Sequence, residues 1–306
     1  MKGKVYSRCF VWIIALTAFG FAGAAPAEAI KFRFNTAIYF DQAGAALSVP
    51  EGVACRGASE IIVADTGNGR LLRFGYRNGT LETGSRELNV SGLVYPEKTM
   101  INSRGEIFVL DRKLHRIFRT TPEGRFLGYV EAKGVPKPAA RTPKSFSLDT
   151  GDRIYLLDIF SKRVLVLNTR GIFLRQIQFP DAPHIFSDLA VDFKGTVLLL
   201  DGAGGRVYAA AESADKFTLI AEKLEAYVRF PARLTVDRRG RIYLSDRNGG
   251  RIVVLGQDGA YLGKISGHGW KPGLLSYPAQ ICIGPQGRLF VADTRNNRIQ
   301  IFELLD

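Results

Sequence analysis

Cysteine, methionine and tryptophan are scarce in this sequence. Three cysteines, two methionines and two tryptophans occur among 306 residues. Cys9 lies in the first apolar stretch, which leaves only Cys55 and Cys282 in the remaining chain and excludes a framework of several disulfides. These two permit one disulfide in an oxidising compartment, and two buried free thiols are the alternative. The phosphate-binding loop, the dinucleotide fingerprint and the nucleophile elbow are absent, so no motif supports those enzyme classes.

Long apolar runs are also rare, because only residues 9–25 form one. Lys2, Lys4 and Arg8 precede the run, and the small residues of APAEA follow it, which is typical of a secretory signal peptide. We therefore predict a signal peptide over residues 1–29 and cleavage after Ala29; an uncleaved anchor helix is the alternative. Residues 30–306 are expected to form one domain outside the membrane, in a periplasm or secreted.

Acidic residues are too few to balance the basic ones, and the formal net charge is +13. The signal segment holds three bases and Glu28, so its removal would leave a net charge of +11. Such an excess attracts anionic partners, namely lipid headgroups, acidic polysaccharides or nucleic acid. Export disfavours nucleic acid.

One pattern recurs six times: an apolar strand ending in aspartate, and an arginine five residues later that opens the next apolar strand. Two copies read IIVADTGNGRLLRF and LFVADTRNNRIQIF. The pairs are Asp65 and Arg70, Asp111 and Arg116, Asp158 and Arg163, Asp201 and Arg206, Asp246 and Arg251, Asp293 and Arg298. The aspartates are 43 to 47 residues apart. Four short strands per unit of this length predict one blade of a β-propeller.

The ends of the chain predict how the ring closes. The last unit stops at its third strand, IQIFELLD, while residues 30–40 form an orphan strand, IKFRFNTAIYF. Pairing this strand with the last blade removes an open sheet edge. We therefore predict an all-β protein with six four-stranded antiparallel blades, in which residues 30–40 complete blade six.

The repeat resembles the NHL-repeat family of six-bladed propellers from about Val49 to Phe302. The last unit, GHGWKPGLLSYPAQICIGPQGRLFVADTRNNRIQIF, is similar to a consensus copy. The resemblance implies the fold, but similar propellers bind proteins, read RNA, sense ligands or act as lyases, so it does not imply one function.

Residues shared by all blades are expected to be structural, so each Asp–Arg pair is predicted to join its hairpin by a bidentate ion pair. Function is expected where the blades differ, at the hairpin tips and the loops between blades. Candidate binding residues there are Arg112, Lys113, His115, Lys162, Arg247, Arg295 and Trp270. Clustered bases would form a positive mouth for an anionic partner.

Three histidines, His115, His184 and His268, are expected on this same face, where three imidazoles could hold zinc. The peptide-amidating lyases of this fold are similar in having a three-histidine zinc site at the pore, but only His115 matches their pattern. The positions after the strand-opening prolines hold instead Glu51, Glu97, Ala232 and Ala279. Such glutamates resemble one calcium ligand of lactonase-type propellers, although no partnering Asn–Asp set occurs.

The sequence therefore favours an exported, monomeric, non-enzymatic scaffold that binds a protein or an anionic ligand or polysaccharide of the cell envelope through its loop-bearing face. No cofactor is expected. A metal-dependent lyase or hydrolase that uses zinc or calcium at the pore is the alternative.

Overall fold

A computed structural model describes residues 30–57, 59–137, 142–181 and 185–305. The predicted signal peptide and His184 lie outside the described residues. None of the helices in the described ranges has the length and apolar character that crossing a bilayer requires. These helices are short 3-10 turns at Thr66–Asn68, Leu224–Ala226, Pro285–Gly287 and Thr294–Asn296.

The described strands form six antiparallel blades around one axis. The first strand is β1 (Lys31–Ile38). Blade one contains β2 (Gly52–Arg56), β3 (Glu60–Asp65), β4 (Arg70–Arg77), β5 (Thr80–Leu81) and β6 (Arg86–Leu88). Blade two contains β7 (Pro96–Ile101), β8 (Ile107–Asp111), β9 (Arg116–Thr120) and β10 (Phe126–Tyr129). Blade three contains β11 (Pro143–Leu148), β12 (Ile154–Asp158), β13 (Arg163–Leu167) and β14 (Phe173–Gln178).

Blade four contains β15 (Phe186–Val191), β16 (Val197–Asp201), β17 (Arg206–Ala210) and β18 (Thr218–Ala221). Blade five contains β19 (Pro231–Val236), β20 (Ile242–Asp246), β21 (Arg251–Leu255) and β22 (Tyr261–Ile265). Blade six contains β23 (Pro278–Ile283), β24 (Leu289–Asp293) and β25 (Arg298–Leu305), and β1 is its fourth strand. Blade one alone divides its outer strand, because both β5 and β6 pair with β4.

The second strand of each blade is buried on both faces. Ile107–Asp111 and Val197–Asp201 are buried at every position. A strand covered on both sides needs no polar alternation, which explains why these segments read as continuous apolar runs in the sequence. The apolar core is correspondingly divided into six clusters within the described part of the chain, each between two neighbouring blades. Each blade is therefore stabilised mainly by its two neighbours.

Strand β1 closes the ring, as the sequence predicted. It pairs antiparallel with β25 from Lys31 opposite Leu305 to Ile38 opposite Ile299, with a bulge between Phe34 and Thr36. At the bulge, the Asn35 amide donates to Glu303 at 3.2 Å and accepts a hydrogen bond from the Tyr76 hydroxyl at 3.0 Å. The closing strand thus contacts blade one as well as blade six.

A disulfide joins the same two blades near the axis. Cys55 in β2 and Cys282 in β23 are bonded, with their Cα atoms 6.0 Å apart and 227 residues between them in sequence. The structure therefore selects the disulfide over the two free thiols that the sequence left open. Restricting so long a segment of the unfolded chain stabilises the closed ring by about 2–4 kcal/mol.

Buried tyrosines at the blade bases make the fold sensitive to alkaline pH. The Tyr155 hydroxyl donates to Asp149 Oδ2 at 3.1 Å. Burial, reinforced by the Asp149 carboxylate, raises the pKa of Tyr155 to about 12. Because the folded pKa lies above the ordinary value near 10, this stabilisation is complete below pH 10 and is lost as the pH rises to 12. We expect the free energy of unfolding to fall by about 2 kcal/mol over this window through Tyr155 alone.

Urea unfolding of the wild type and of Tyr155→Phe, measured at pH 8 and pH 11, checks this expectation. Tyr155→Phe should lose about 1 kcal/mol at pH 8, because it lacks the hydrogen bond, and should then show a weaker decline toward pH 11. Tyr261→Phe, which alters an exposed ring on an outer strand, serves as the matched control. An identical decline in Tyr155→Phe and the wild type would contradict the prediction.

Candidate functional site on the loop-bearing face

The first strand of each blade is nearest the axis and is here called the inner strand. Its start and the Asp–Arg hairpin tip of the same blade lie on one face of the ring, here called the loop face. Pro96 pairs with Asp111, and Pro231 pairs with Asp246, which places the strand-opening prolines beside the hairpins. The turns between the first and second strands of each blade lie on the opposite face, here called the turn face. All seven candidate binding residues therefore belong to the loop face.

Five of the six Asp–Arg pairs form ion pairs. The shortest joins Arg298 Nε to Asp293 Oδ2 at 2.7 Å, and the longest joins Arg206 Nη1 to Asp201 Oδ2 at 4.0 Å. The other three are Arg70–Asp65 at 2.8 Å, Arg251–Asp246 at 3.1 Å and Arg163–Asp158 at 3.6 Å. In the closest pairs the arginine Nε donates to a single carboxylate oxygen, whereas the sequence predicted bidentate pairs.

Blade two departs from the pattern. Arg116 lies over the ring of Tyr129, with Cζ 4.6 Å from the centroid, and Asp111 instead accepts four backbone hydrogen bonds. Two of these come from the loop that enters the inner strand, from the amides of Val94 and Tyr95 at 2.7 and 2.8 Å. The carboxylate is satisfied by these amides, which leaves the guanidinium to stack on Tyr129.

The buried aspartates also hold the entering loops in other blades. Asp65 accepts from the Ser48 amide at 2.7 Å, Asp246 from the Arg229 amide at 3.0 Å, and Asp293 from the Ser276 amide at 2.6 Å. Each donor lies 17 residues before its aspartate. The repeated carboxylate therefore joins the hairpin to the loop before its own blade, a structural role that the hairpin pattern alone did not reveal.

One position in each inner strand faces the axis at the same height, one pairing step below the aspartate. These positions hold Gly52, Lys98, Ser145, Asp188, Arg233 and Gln280. The five side chains are buried, and together we call them the axial plug. Each blade has a different residue at this equivalent position, so the repeat is not preserved at the axis.

Lys98 is the centre of the axial plug. Its Nζ donates to Asp188 Oδ1 at 2.6 Å, to Ser145 Oγ at 3.0 Å and to the Leu189 carbonyl at 3.2 Å. The Ser145 hydroxyl also hydrogen-bonds Asp188. Burial lowers the pKa of Lys98, and the Asp188 carboxylate opposes that shift. Ser145 is small enough for the lysine of blade two to reach past blade three to blade four.

Arg233 crosses the axis from blade five to blade two. Its guanidinium forms a buried ion pair with Glu97 and lies 3.9 Å from Asp188 Oδ1. Burial acts to lower the pKa of Arg233, but the surrounding carboxylates of Glu97, Asp188 and Glu51 raise it. The positive charge of this arginine is therefore stabilised by acids from three other blades.

Gln280 is the last member of the axial plug, and Gly52 leaves room for its side chain. Gln280 Nε2 donates to the Thr99 carbonyl at 2.7 Å, and its Oε1 accepts from the Thr99 amide at 2.9 Å, so blade six reaches blade two. A Cβ atom at position 52 would lie 3.1 Å from the Glu97 carbonyl and 3.2 Å from Gln280 Oε1. Glycine at position 52 therefore leaves the path for the glutamine across blade one.

Above the axial plug, two candidate arginines are held by both acids and aromatic rings. Arg112 and Arg247 each place a guanidinium nitrogen 3.7 Å from Glu51 Oε2. Arg112 lies over Tyr95 with Cζ 4.5 Å from the ring centroid, and Arg247 lies over Tyr277 at 4.7 Å. Both tyrosine rings therefore support an arginine side chain through a cation–π contact.

The remaining candidates are more exposed. Arg295 lies over Tyr277 at 4.2 Å, while Lys113 and Lys162 project from the tips of blades two and three. Trp270 is 73% exposed, with Lys271 Nζ 5.9 Å from its ring. The structure adds two apolar residues that the sequence did not single out: Phe160 at the tip of blade three is 63% exposed, and Ile185 before β15 is 69% exposed. The sequence did indicate Phe160, since IFSK is the one hairpin tip that begins with two large apolar residues.

The histidine positions do not assemble a zinc site in the described part of the chain. His115 and His268 are both exposed, on blades two and six, and His184 lies outside the described ranges. Across those ranges no three His, Cys, Asp or Glu side chains come close enough to hold a metal ion. Glu51 and Glu97 do not fit a calcium site as they stand, because Arg112 and Arg233 occupy their carboxylates.

Comparisons with known proteins agree on the repeat and the architecture. The NHL repeat model matches residues 275–302, which form most of blade six. No curated protein shows significant sequence similarity to the chain.

Many solved structures share the fold. A virginiamycin B lyase from Staphylococcus aureus superposes with a TM-score of 0.61 at 11% identity, covering 90% of this chain and 100% of the lyase. A gluconolactonase from Xanthomonas campestris gives 0.63 at 17% identity, covering 90% of each chain. A chain of a nidogen/laminin complex gives 0.62 at 16% identity, covering 80% of this chain and 89% of that one.

At these identities the likeness concerns the fold alone, and two of the three proteins are enzymes by name while the third was solved in a protein complex. Together with the repeat match and the six closed blades, it establishes the architecture. The chain therefore contains one segment, residues 275–302, that matches the NHL repeat, and it has the fold of a six-bladed β-propeller.

Proposed function

We propose that this protein is an exported, non-enzymatic scaffold whose loop face binds a protein partner bearing apolar and acidic groups. The observation that carries the proposal is the combination of Trp270, Phe160 and Ile185, all more than half exposed, with exposed cations on the same face. Large exposed apolar side chains beside charged ones are characteristic of protein contact sites, and tryptophan and arginine are the residues most often found at their energetic centres.

The arrangement of charge supports binding over chemistry. Glu51, Glu97 and Asp188 are buried acids at the start of inner strands, and each is paired with a cation of another blade. The ionic groups that converge on the axis therefore stabilise the ring. Lys113 and Lys162 are exposed at the hairpin tips, where they would meet an acidic surface.

Affinity capture from a cell-envelope extract tests the proposal with three immobilised proteins. They are the wild type, the loop-face variant Phe160→Ala/Trp270→Ala, and the control Phe193→Ala/Tyr261→Ala, which alters exposed rings on the turn face and an outer strand. We expect one protein to be retained by the wild type and by the control, and about tenfold less by the loop-face variant. Equal capture by all three would contradict a loop-face site.

Salt separates the two kinds of ligand. Retention through apolar contacts should persist at 0.5 M salt, whereas an acidic polysaccharide such as heparin, used as a probe, should be released because the attraction between exposed charges is screened. Release of every bound component at high salt would favour the anionic ligand over the protein partner.

The alternative function is a metal-dependent lyase or hydrolase, supported by the presence of a lyase and a gluconolactonase among the similar folds. Metal analysis of the same purified wild type, beside His115→Ala, decides between them. One equivalent of zinc that is lost in His115→Ala would favour the enzyme, and no bound zinc or calcium after purification in their presence would favour the scaffold.

A further inference from the structure

The turn face is formed by six short turns, each of which joins the inner strand of a blade to its second strand. In blades two to six the inner strand has six residues. The turns that follow them are residues 102–106, 149–153, 192–196, 237–241 and 284–288. Blade one has an inner strand of five residues and a turn at 57–59. Because strands and turns are of nearly equal length, the six turns end at a similar level around the axis.

The acids of these turns face into the protein. There are five of them, and none is exposed: Glu106, Asp149, Asp152, Asp192 and Asp237. Asp149, Asp192 and Asp237 each accept two amide hydrogen bonds from their own turn, at 2.8 to 2.9 Å. Asp152 accepts from the amide and hydroxyl of Ser103 in the neighbouring turn, and Glu106 is paired with Arg119 at 2.9 Å. These carboxylates therefore stabilise the turns and contribute little to the outer surface.

The bases of the same turns face outward. Four are exposed: Arg104, Lys194, Arg238 and Arg239. Arg104 pairs with Glu106 at 3.2 Å, whereas the other three form no ion pair with any residue in the described ranges. Lys194 belongs to blade four, and the two unpaired arginines belong to its neighbour, blade five. The outer turns, in contrast, carry exposed charges of both signs, such as Glu123 with Arg125 and Asp215 with Lys216.

An exposed aromatic ring lies among these bases. Phe193 is 50% exposed, and Lys194 Nζ is 5.5 Å from its ring centroid. We call Phe193, Lys194, Arg238 and Arg239 the basic patch. An apolar ring beside several bases suits the surface of a lipid bilayer, where the ring enters the headgroup region and the bases meet phosphates. A linear polyanion is commonly bound along a groove, whereas these turns form a level surface.

From these observations we infer that the turn face binds the surface of an anionic lipid bilayer through the basic patch. Lys194, Arg238 and Arg239 contact the phosphate groups, and Phe193 lies between the headgroups. The loop face is on the opposite side of the ring, so a molecule held in this way presents its loop face away from the bilayer. The two sites share no residue, and lipid binding does not depend on the scaffold function proposed above.

Co-sedimentation with lipid vesicles tests the inference. The protein begins at residue 30, because the apolar run of residues 9–25 would itself bind lipid and all six blades lie in residues 31–305. We expect binding to vesicles of phosphatidylcholine and phosphatidylglycerol, and none to vesicles of phosphatidylcholine alone. Lys194→Glu/Arg238→Glu/Arg239→Glu should lower the affinity at least about a hundredfold, because each base near an anionic surface contributes about fivefold.

A matched variant separates the basic patch from net charge. Lys113→Glu/Lys162→Glu/Arg295→Glu reverses the same number of charges on the loop face and should lower the affinity by no more than about threefold, because charges far from the bilayer are screened. Melting temperatures show whether each variant is folded. Equal losses in the two triple variants, or no binding of the unaltered protein to anionic vesicles, would overturn the inference.

The aromatic ring separates a bilayer from a soluble polyanion. Phe193→Ala should weaken vesicle binding several-fold and leave retention on a heparin column unchanged, because only the bilayer offers the ring an apolar environment. Retention on heparin without any vesicle binding would assign the basic patch to a polyanion and contradict the inference. Phe160→Ala/Trp270→Ala should bind vesicles like the unaltered protein, so a failure of the loop-face proposal can be told apart from a failure of this one.

Discussion

Replacing Asp188 with alanine is expected to lower the free energy of unfolding by about 4 kcal/mol. The carboxylate is 1% exposed and receives Lys98 at 2.6 Å, the Ser145 hydroxyl and the Leu234 amide at 2.9 Å. Alanine would leave the lysine charge buried without its counter-ion, and breaking one partner of a buried ion pair costs far more than the net worth of the pair. Urea unfolding at pH 7 measures the loss.

Two further variants identify the cause of that loss. Asp215→Ala removes an exposed carboxylate from the same blade and should change the free energy of unfolding by less than about 0.5 kcal/mol. Lys98→Met combined with Asp188→Ala removes both charges, so the double variant should be clearly more stable than the sum of the single losses implies. Strict additivity would show that the two charges do not interact in the folded protein.

The ring could be predicted from the sequence because its determinant is repeated. Asp65 and Arg70 recur at one spacing in every blade, and each copy strengthens the interpretation of the others. The closing strand was predictable for a related reason, since the last unit lacked a fourth strand and residues 30–40 had no local partner. Both inferences depend on pattern alone and need no knowledge of distances.

The axial plug could not be predicted, because none of its members is repeated. Lys98 meets Asp188 across 90 residues, Arg233 meets Glu97 across 136, and Gln280 meets Thr99 across 181. Which residue of an inner strand faces the axis depends on the irregular pairing after each opening residue, such as that between Pro96 and Lys98. One residue of shift would exchange the axial side chains for their neighbours.

The positive mouth predicted from the bases at the hairpin tips carries less uncompensated charge in the structure than the residue count implied. The charges of Arg112 and Arg247 are partly offset, because Glu51 lies 3.7 Å from both, and tyrosine rings support the two guanidinium groups. Glu51 is far from both arginines in sequence and belongs to another blade, so a count of hairpin tips could not include it. Exposed Lys162 follows Phe160 at the tip of blade three, and Lys271 lies beside the Trp270 ring, which is why we assign contact to these residues.

Removing residues 30–40 is expected to have the largest effect of any change considered, a loss of at least about 5 kcal/mol that unfolds most of the protein. Strand β1 covers the edge of β25, and it also contributes apolar contacts to three blades. Ile38 is buried in the cluster between blades one and six, Phe34 meets the Phe302 ring edge-on at 6.1 Å, and Phe32 meets Tyr243 of blade five at 6.4 Å. Size-exclusion chromatography and thermal unfolding, compared with a protein that begins at residue 30, measure the effect.

Rescue by a separate peptide distinguishes closure of the ring from a general cost of truncation. A synthetic peptide of residues 30–40 should restore the melting transition when it is added during refolding, because backbone pairing with β25 does not require a covalent link. The same peptide with Phe34→Asp and Ile38→Asp should fail, since its register places charges in the apolar seam. If the truncated chain kept the melting temperature of the longer protein without any peptide, the disulfide between Cys55 and Cys282 would hold the ring closed alone. That bond joins only the inner strands of blades one and six, whereas β1 is the outermost strand of the sheet of blade six. We therefore expect β1 to stabilise the closed ring more than the disulfide does.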